Sequence, residues 1–244
     1  AVERPLGGTS HSATVVGARV AQALRVPTLY DLYFSSPQRL TVRTLQPERV
    51  LLDAELFARW RPALPHGAVA IDAALISRAS RDAIVWFPGN FGWSPANVGR
   101  ETVQGLEVRA EWQRARWLGS AWVTHYRAEL VSGTLRIPTP YVPETAAGAV
   151  ARAPILATPL GSVEGSLVGR WMGPRPYTAG PRDPFFRMPP VAVLDAALSL
   201  RRRAVNADWL VTAALDNATD RAWQSVRGFP APGRSWSVAL TITP

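Results

Sequence analysis

Few of the 244 residues carry side chains suited to bond-making chemistry: there is no cysteine, and His11, His66 and His125 are the only imidazoles. Disulfides and thiolate metal sites are therefore excluded, and three widely separated histidines do not compose a structural zinc site. No glycine-x-serine-x-glycine elbow, paired histidine-glutamate zinc motif or phosphate-cradling glycine loop occurs. His125 and Asp195 are the one pair that could exchange protons if they faced a common lumen, although a lone inward histidine more often serves as polar lining. What the sequence does offer is material for recognition. Residues 80 to 100 hold Trp86, Phe87, Phe91 and Trp93, and residues 173 to 190 hold Arg175, Tyr177, Arg182, Phe185, Phe186 and Arg187. Aromatic rings beside guanidinium groups suit a large, partly anionic ligand through stacking and charge. Trp86, Phe91, Trp93, Arg175, Tyr177, Arg182, Phe185 and Arg187 are thus the candidate ligand contacts, with loop-on-loop packing as the competing role. No catalytic residue, cofactor or bound metal is expected.

The elements that must position these residues follow from composition and pattern. A chain that is 47% hydrophobic, with 10 Trp, is too apolar for a disordered segment. No run approaches the roughly 18 to 20 apolar residues of a membrane-spanning helix. The formal charge of +9 comes entirely from arginine spread along the chain, with Arg201, Arg202 and Arg203 the only tight cluster, so nucleic acid is not an expected partner. The N-terminal residues show no signal peptide.

Apolar and polar residues instead alternate with period two in ten segments, near 12 to 22, 48 to 60, 67 to 79, 101 to 113, 117 to 129, 144 to 153, 161 to 172, 191 to 201, 206 to 215 and 234 to 243. Strands in soluble proteins cluster near 5 or 6 residues, whereas a tilted strand crossing a bilayer needs roughly 9 to 11. In each segment one face excludes charge. Leu52, Ala54, Leu56, Ala58 and Trp60 oppose Asp53, Glu55 and Arg59; Leu106, Val108, Ala110 and Trp112 oppose Glu107, Arg109 and Glu111. Leu118, Trp122 and Tyr126 are assigned to the same uncharged face, with His125 and Arg127 opposite. A lipid-facing row must exclude arginine, which costs about 2 to 4 kcal/mol at mid-depth. A soluble sandwich with one buried sheet face is the alternative.

Gaps between segments run long, short, long, short without a break, as in outer-membrane barrels with short periplasmic turns and long extracellular loops. This places 61 to 66, 114 to 116, 154 to 160 and 202 to 205 at the periplasmic end and makes 23 to 47, 80 to 100, 130 to 143, 173 to 190 and 216 to 233 extracellular loops. Trp60, Trp112 and Trp209 then form one interfacial girdle, and Tyr126, Trp171 and Trp236 the other.

Four stretches resemble the C-terminal barrel of TonB-dependent outer-membrane receptors. They are Leu24 to Tyr33 (LRVPTLYDLY), Leu45-Gln-Pro-Glu48, Asn97 to Glu107 (NVGRETVQGLE), and Leu215 to Trp223 (LDNATDRAW) with Gly228 to Arg234 and the final strand. Tyr141-Val-Pro-Glu144 is a weaker echo. The resemblance implies an all-β transmembrane antiparallel barrel of which these are about the last ten of 22 strands. Residues 1–244 would be a partial barrel without signal peptide, TonB box or plug domain. It further implies energy-coupled uptake of a scarce nutrient such as a ferric siderophore or cobalamin, with outer-membrane lipid, the TonB complex and a small-molecule ligand as partners. An autonomous small outer-membrane barrel with a structural or hydrolytic role is the alternative.

Overall fold

The computed structural model describes residues 2–5, 12–33, 44–89, 92–132, 134–177, 186–203 and 207–243. Period-two alternation produces strands throughout: β1 (Val2–Pro5), β2 (Ala13–Arg25), β3 (Glu48–Arg61), β4 (Ala63–Leu64), β5 (Gly67–Gly89), β6 (Gly92–Arg114), β7 (Trp117–Ser132), β8 (Leu135–Pro138), β9 (Thr145–Thr158), β10 (Gly161–Met172), β11 (Arg175–Pro176), β12 (Arg187–Met188), β13 (Val191–Arg203), β14 (Asp208–Asp216), β15 (Gln224–Val226), β16 (Phe229–Pro230) and β17 (Ser235–Thr243). One short helix, α1 (Leu29–Tyr33), interrupts them. Ten of these, β2, β3, β5, β6, β7, β9, β10, β13, β14 and β17, are the ten expected segments, each hydrogen-bonded antiparallel to its neighbour in chain order. β1 and β17 end this ladder, and among the described residues they are not paired to each other.

Antiparallel partners share a face of the sheet, so register tests the two-faced pattern directly. One row runs Val16, Ala58, Ala73, Val108, Val123, Ala147, Trp171, Ala192 and carries no charge across eight strands. The row beside it on the opposite face runs Val15, Arg59, Asp72, Arg109, Trp122, Gly148, Arg170, Val193. Leu56, Leu75 and Leu106 form another apolar row and are 56%, 55% and 42% exposed. Burying a leucine is worth roughly 1.5 to 3 kcal/mol, so a continuous belt of uncovered ones requires an apolar solvent. No second large sheet covers it: the only other sheets among the described residues are two-stranded, β11 with β12 and β15 with β16. The sandwich alternative fails on that point. The charged face is laced by exposed ion pairs, Arg19 with Glu55 at 2.9 Å, Arg59 with Asp72 at 3.3 Å and Arg109 with Glu111 at 2.6 Å. Exposed pairs of this kind contribute about 0 to 1 kcal/mol each, so they describe a hydrated wall more than a source of stability.

Register corrects the expected faces of β7. Tyr126 pairs with Gly105, Trp122 with Arg109 and Leu118 with Gln113, which puts all three on the charged face, while His125 and Arg127 pair with Leu106 and Gln104 on the apolar one. The physical reason is aromatic cover of glycine. A ring fills the space a β-carbon would take at a glycine on the neighbouring strand: Phe57 at Gly17, Tyr126 at Gly105, Trp122 at Gly148. The Tyr126 hydroxyl donates to Glu107, which gives its polar tip a partner that lipid would not supply. β7 is apolar enough on both faces that ring size misdirects the assignment. Tyr126 therefore leaves the outer girdle, whereas Trp60, Trp112, Trp209, Trp171 and Trp236 stay on the apolar face, Trp209 opposite Arg202 at the short-turn rim. Asp195 sits on the charged face, ion-paired with Arg170, so the one acid-base pair in the sequence is split between opposite faces.

Connections also differ from expectation in extent. Residues 80–89 and 92–100 are strand and not loop: β5 and β6 continue the ladder from Ala83 opposite Val98 to Gly89 opposite Gly92. Beyond the bilayer neither face must be uniformly apolar, so the hydropathy signal stops while backbone pairing does not. On the short side β9 runs to Thr158, past a register shift at Val163/Glu164 that accommodates Pro154, which has no amide to donate. The turn there shrinks to two residues, Pro159 and Leu160, matching Ala115 and Arg116 between β6 and β7.

Candidate functional site

The quoted motifs turn out to be the clips that hold the long-loop end in shape. After Pro27 stops β2, Thr28 caps α1: its hydroxyl accepts the Asp31 amide at 3.1 Å while Asp31 accepts the Thr28 amide at 2.9 Å, a reciprocal capping box. Asp31 is 3% exposed. Burial works to raise its pKa, but hydrogen bonds from Thr28 and from the Trp86 indole at 3.0 Å, with the Arg25 charge nearby, outweigh burial and hold the carboxyl below its ordinary value. A depressed carboxylate stabilises at pH above its unfolded value and loses that contribution as pH falls through the folded one. Asp31→Asn is therefore expected to flatten the acid limb of the thermal unfolding midpoint below about pH 4, read by unfolding scans across pH. Asn97 donates to the Gln46 carbonyl at 2.9 Å and the Asp82 carbonyl at 2.6 Å, and accepts the Gln46 amide at 2.8 Å. This ties Leu45-Gln-Pro-Glu48 to the β5–β6 hairpin where Asp82 takes a positive φ of 56°.

The closing motif is pinned most tightly. Asn217, 4% exposed and at φ 49°, donates its amide to Asp195 at 2.8 Å, and its side chain donates to the Arg221 carbonyl at 3.0 Å and accepts the Arg221 amide at 2.9 Å. Asn217→Ala removes three part-buried side-chain hydrogen bonds, the third to the Pro232 carbonyl at 3.3 Å, and puts alanine in left-handed geometry, an expected loss of about 3 kcal/mol. The check is the heat-modifiable migration midpoint of the variant protein.

Those clips present a cavity of about 450 Å³ between the β11–β12 and β15–β16 hairpins. Its lining includes Arg175, Tyr177, Arg187, Arg221, Trp223 and Arg227, and no carboxylate among the described residues. Arg175 is 2% exposed; its Nη2 donates to the Gln224 carbonyl and, at 3.4 Å, to that of Ser225, joining the two hairpins. Its Nη1 is buried with no hydrogen-bond partner among the described residues. Burial pushes the guanidinium below its ordinary pKa. Arg227 lies over the Tyr177 ring at 4.4 Å, held there because Gly228 takes φ 85° in the turn and donates to Gln224 Oε1 at 2.8 Å. Arg187 pairs with Glu144 at 2.7 Å, and Tyr177 meets Phe186 edge-on at 5.9 Å. Four guanidinium groups and two rings around one opening can hold an anion with delocalised or aromatic character.

Of the expected contacts, the fold brings Arg175, Tyr177 and Arg187 together. Trp86 lies elsewhere, against Tyr30 at 5.1 Å with its indole spent on Asp31, which gives it a structural role. Trp93 falls within β6 and pairs with Pro88, while Phe91, Arg182 and Phe185 lie outside the described residues. Arg221, Trp223 and Arg227 complete the cavity and were not among the expected contacts. Their signal was present, a second arginine-and-tryptophan segment in residues 216 to 233, but the closing-loop motif reads first as architecture.

An amphipathic antiparallel wall with short turns at one end and longer, motif-pinned connections around a basic cavity at the other has the architecture of the wall of a membrane β-barrel. The family described as TonB dependent receptor-like, beta-barrel, matches residues 12–218, and the chain belongs to that family. Similar solved structures include the copper transporter OprC (16% identity, TM-score 0.69, 96% of this chain and 37% of that one) and the ferric yersiniabactin uptake receptor FyuA from Yersinia pestis (20%, 0.65, 96% and 34%). The ferric-catecholate import receptor Fiu from K12 E. coli is also similar (18%, 0.63, 98% and 34%). The chain therefore spans about a third of the length of these structures. No curated protein matches it.

Proposed function

We propose that the chain is wall and mouth of an outer-membrane importer that takes up an anionic metal chelate, such as a ferric siderophore, by TonB-coupled transport. The observation that carries this reading is the cavity ringed by Arg175, Arg187, Arg221 and Arg227 with Tyr177 and Trp223, with no carboxylate among its described lining residues and Arg187 alone of the four paired, to Glu144. The wall stands in the outer membrane with its short turns in the periplasm and its long loops outside. Preceding strands of a longer protein complete the barrel, and a plug with its TonB-engaging segment fills the lumen against the charged face. His125 and Asp195, the one acid-base pair read from the sequence, face opposite ways and so lend a hydrolytic barrel no support. A bare copper ion is a poorer fit than a chelate, because soft metal binding needs thioether, thiolate or imidazole groups and the cavity contributes only Met188.

The test is growth of metal-starved cells whose only receptor is the complete protein, supplied with carboxylate, catecholate or neutral ferric chelates. The proposal expects growth on at least one anionic chelate and none on its neutral counterpart. Equal growth on both, or growth that survives deletion of the TonB system, overturns it.

A further inference from the structure

On the apolar side of the sheet, at the long-loop end, three arginines stand directly opposite one another: Arg49 on β3 pairs with Arg81 on β5, which pairs with Arg100 on β6. All three are exposed. Like charges placed opposite each other across strands destabilise a sheet, and none of these guanidinium groups forms an ion pair among the described residues. Neighbouring Arg127 differs, because Glu129 neutralises it at 3.0 Å. Glu48 and Glu101 offer no relief either, since both occupy the other face, where Glu48 is ion-paired with Arg25 and Arg78.

Height along the strands fixes what the trio meets. Arg49 lies 12 positions from the short-turn end of β3 at Arg61, Arg81 lies 14 from Gly67 on β5, and Arg100 lies 14 from Arg114 on β6. A tilted strand crosses the hydrocarbon in roughly 9 to 11 residues, so all three sit just beyond it, at the headgroups of the outer leaflet. Below them on the same face come Leu52 and Ala79, then Leu56, Leu75 and Leu106, a surface for acyl chains. We infer that Arg49, Arg81 and Arg100 form a docking site for the phosphates of an outer-leaflet glycolipid whose acyl chains lie on the leucine belt beneath. Guanidinium forks suit phosphate oxygens, and a headgroup with two phosphates spans neighbouring strands better than a single one. The inference rests on the membrane orientation proposed above.

The experiment uses the complete receptor purified into nanodiscs that contain a bisphosphorylated acylated disaccharide, with retained glycolipid counted by native mass spectrometry. Retention is expected to fall at least tenfold in R49Q/R81Q/R100Q, and equally for the unsubstituted receptor when the glycolipid has been dephosphorylated. R201Q/R202Q, at the opposite rim, is expected to retain it fully. Undiminished retention in the triple variant, indifference to dephosphorylation, or displacement by millimolar inorganic phosphate would overturn the inference. The dephosphorylation arm needs no variant to fold. If the unsubstituted receptor lacks heat-modifiable migration, the membrane reading itself fails; loss of this lipid preference in an intact barrel removes the docking site alone.

Discussion

Leu75→Arg is expected to prevent stable assembly of the receptor in the outer membrane, whereas Ile76→Arg, one residue along, is expected to be tolerated. Leu75 belongs to the uncharged row with Leu56 and Leu106, far from either end of β5. An arginine there meets hydrocarbon, at about 2 to 4 kcal/mol, a large part of a marginal stability. Ile76 pairs with Glu55 and Gly105 on the opposite face, where a guanidinium finds carboxylate and water. The contrast has a sign no soluble fold reproduces, since on a water-exposed leucine an arginine would be neutral or solubilising. Protease-protected, heat-modifiable receptor in outer-membrane fractions is the measure. Equal levels of the two variants would mean that the Leu56–Leu75–Leu106 row does not face lipid.

The second large effect concerns the mouth. Arg187→Ala with Arg227→Ala is expected to weaken chelate binding by roughly 100-fold or more, from two charge-assisted contacts of about 1.5 to 3 kcal/mol each. Transport at saturating chelate should fall less than affinity, because neither residue lies on the charged wall below. Arg227 is the more informative of the two. Its guanidinium stacks on Tyr177, so Arg227→Lys keeps the charge yet loses the planar fork, and only part of the affinity should return. Trp86→Phe is the matched control: it removes the hydrogen bond to Asp31 and should loosen the α1 segment without altering chelate preference. Titration of chelate by tryptophan fluorescence or calorimetry separates these outcomes. Unchanged affinity in the double variant would exclude the cavity as the ligand site.

The sequence by itself determined the ten strands, their antiparallel order and the existence of an uncharged face, because those are local or period-two properties: each strand must exclude charge from one side whatever its neighbours do. It also marked the turns, since Pro27, Pro47 and Gly228 restrict or free the backbone where they stand. Tertiary structure alone decided which face each residue of β7 takes, because a strand apolar on both sides has no local signal, and only register against Gly105 and Gly148 places Tyr126 and Trp122 inward. It likewise decided that Trp86 braces a helix while Arg221, Trp223 and Arg227 join Arg175, Tyr177 and Arg187 around one cavity. The row Arg49, Arg81, Arg100 is equally invisible along the chain, where its members are up to 51 positions apart, and becomes a single patch once hydrogen bonding between strands sets them side by side.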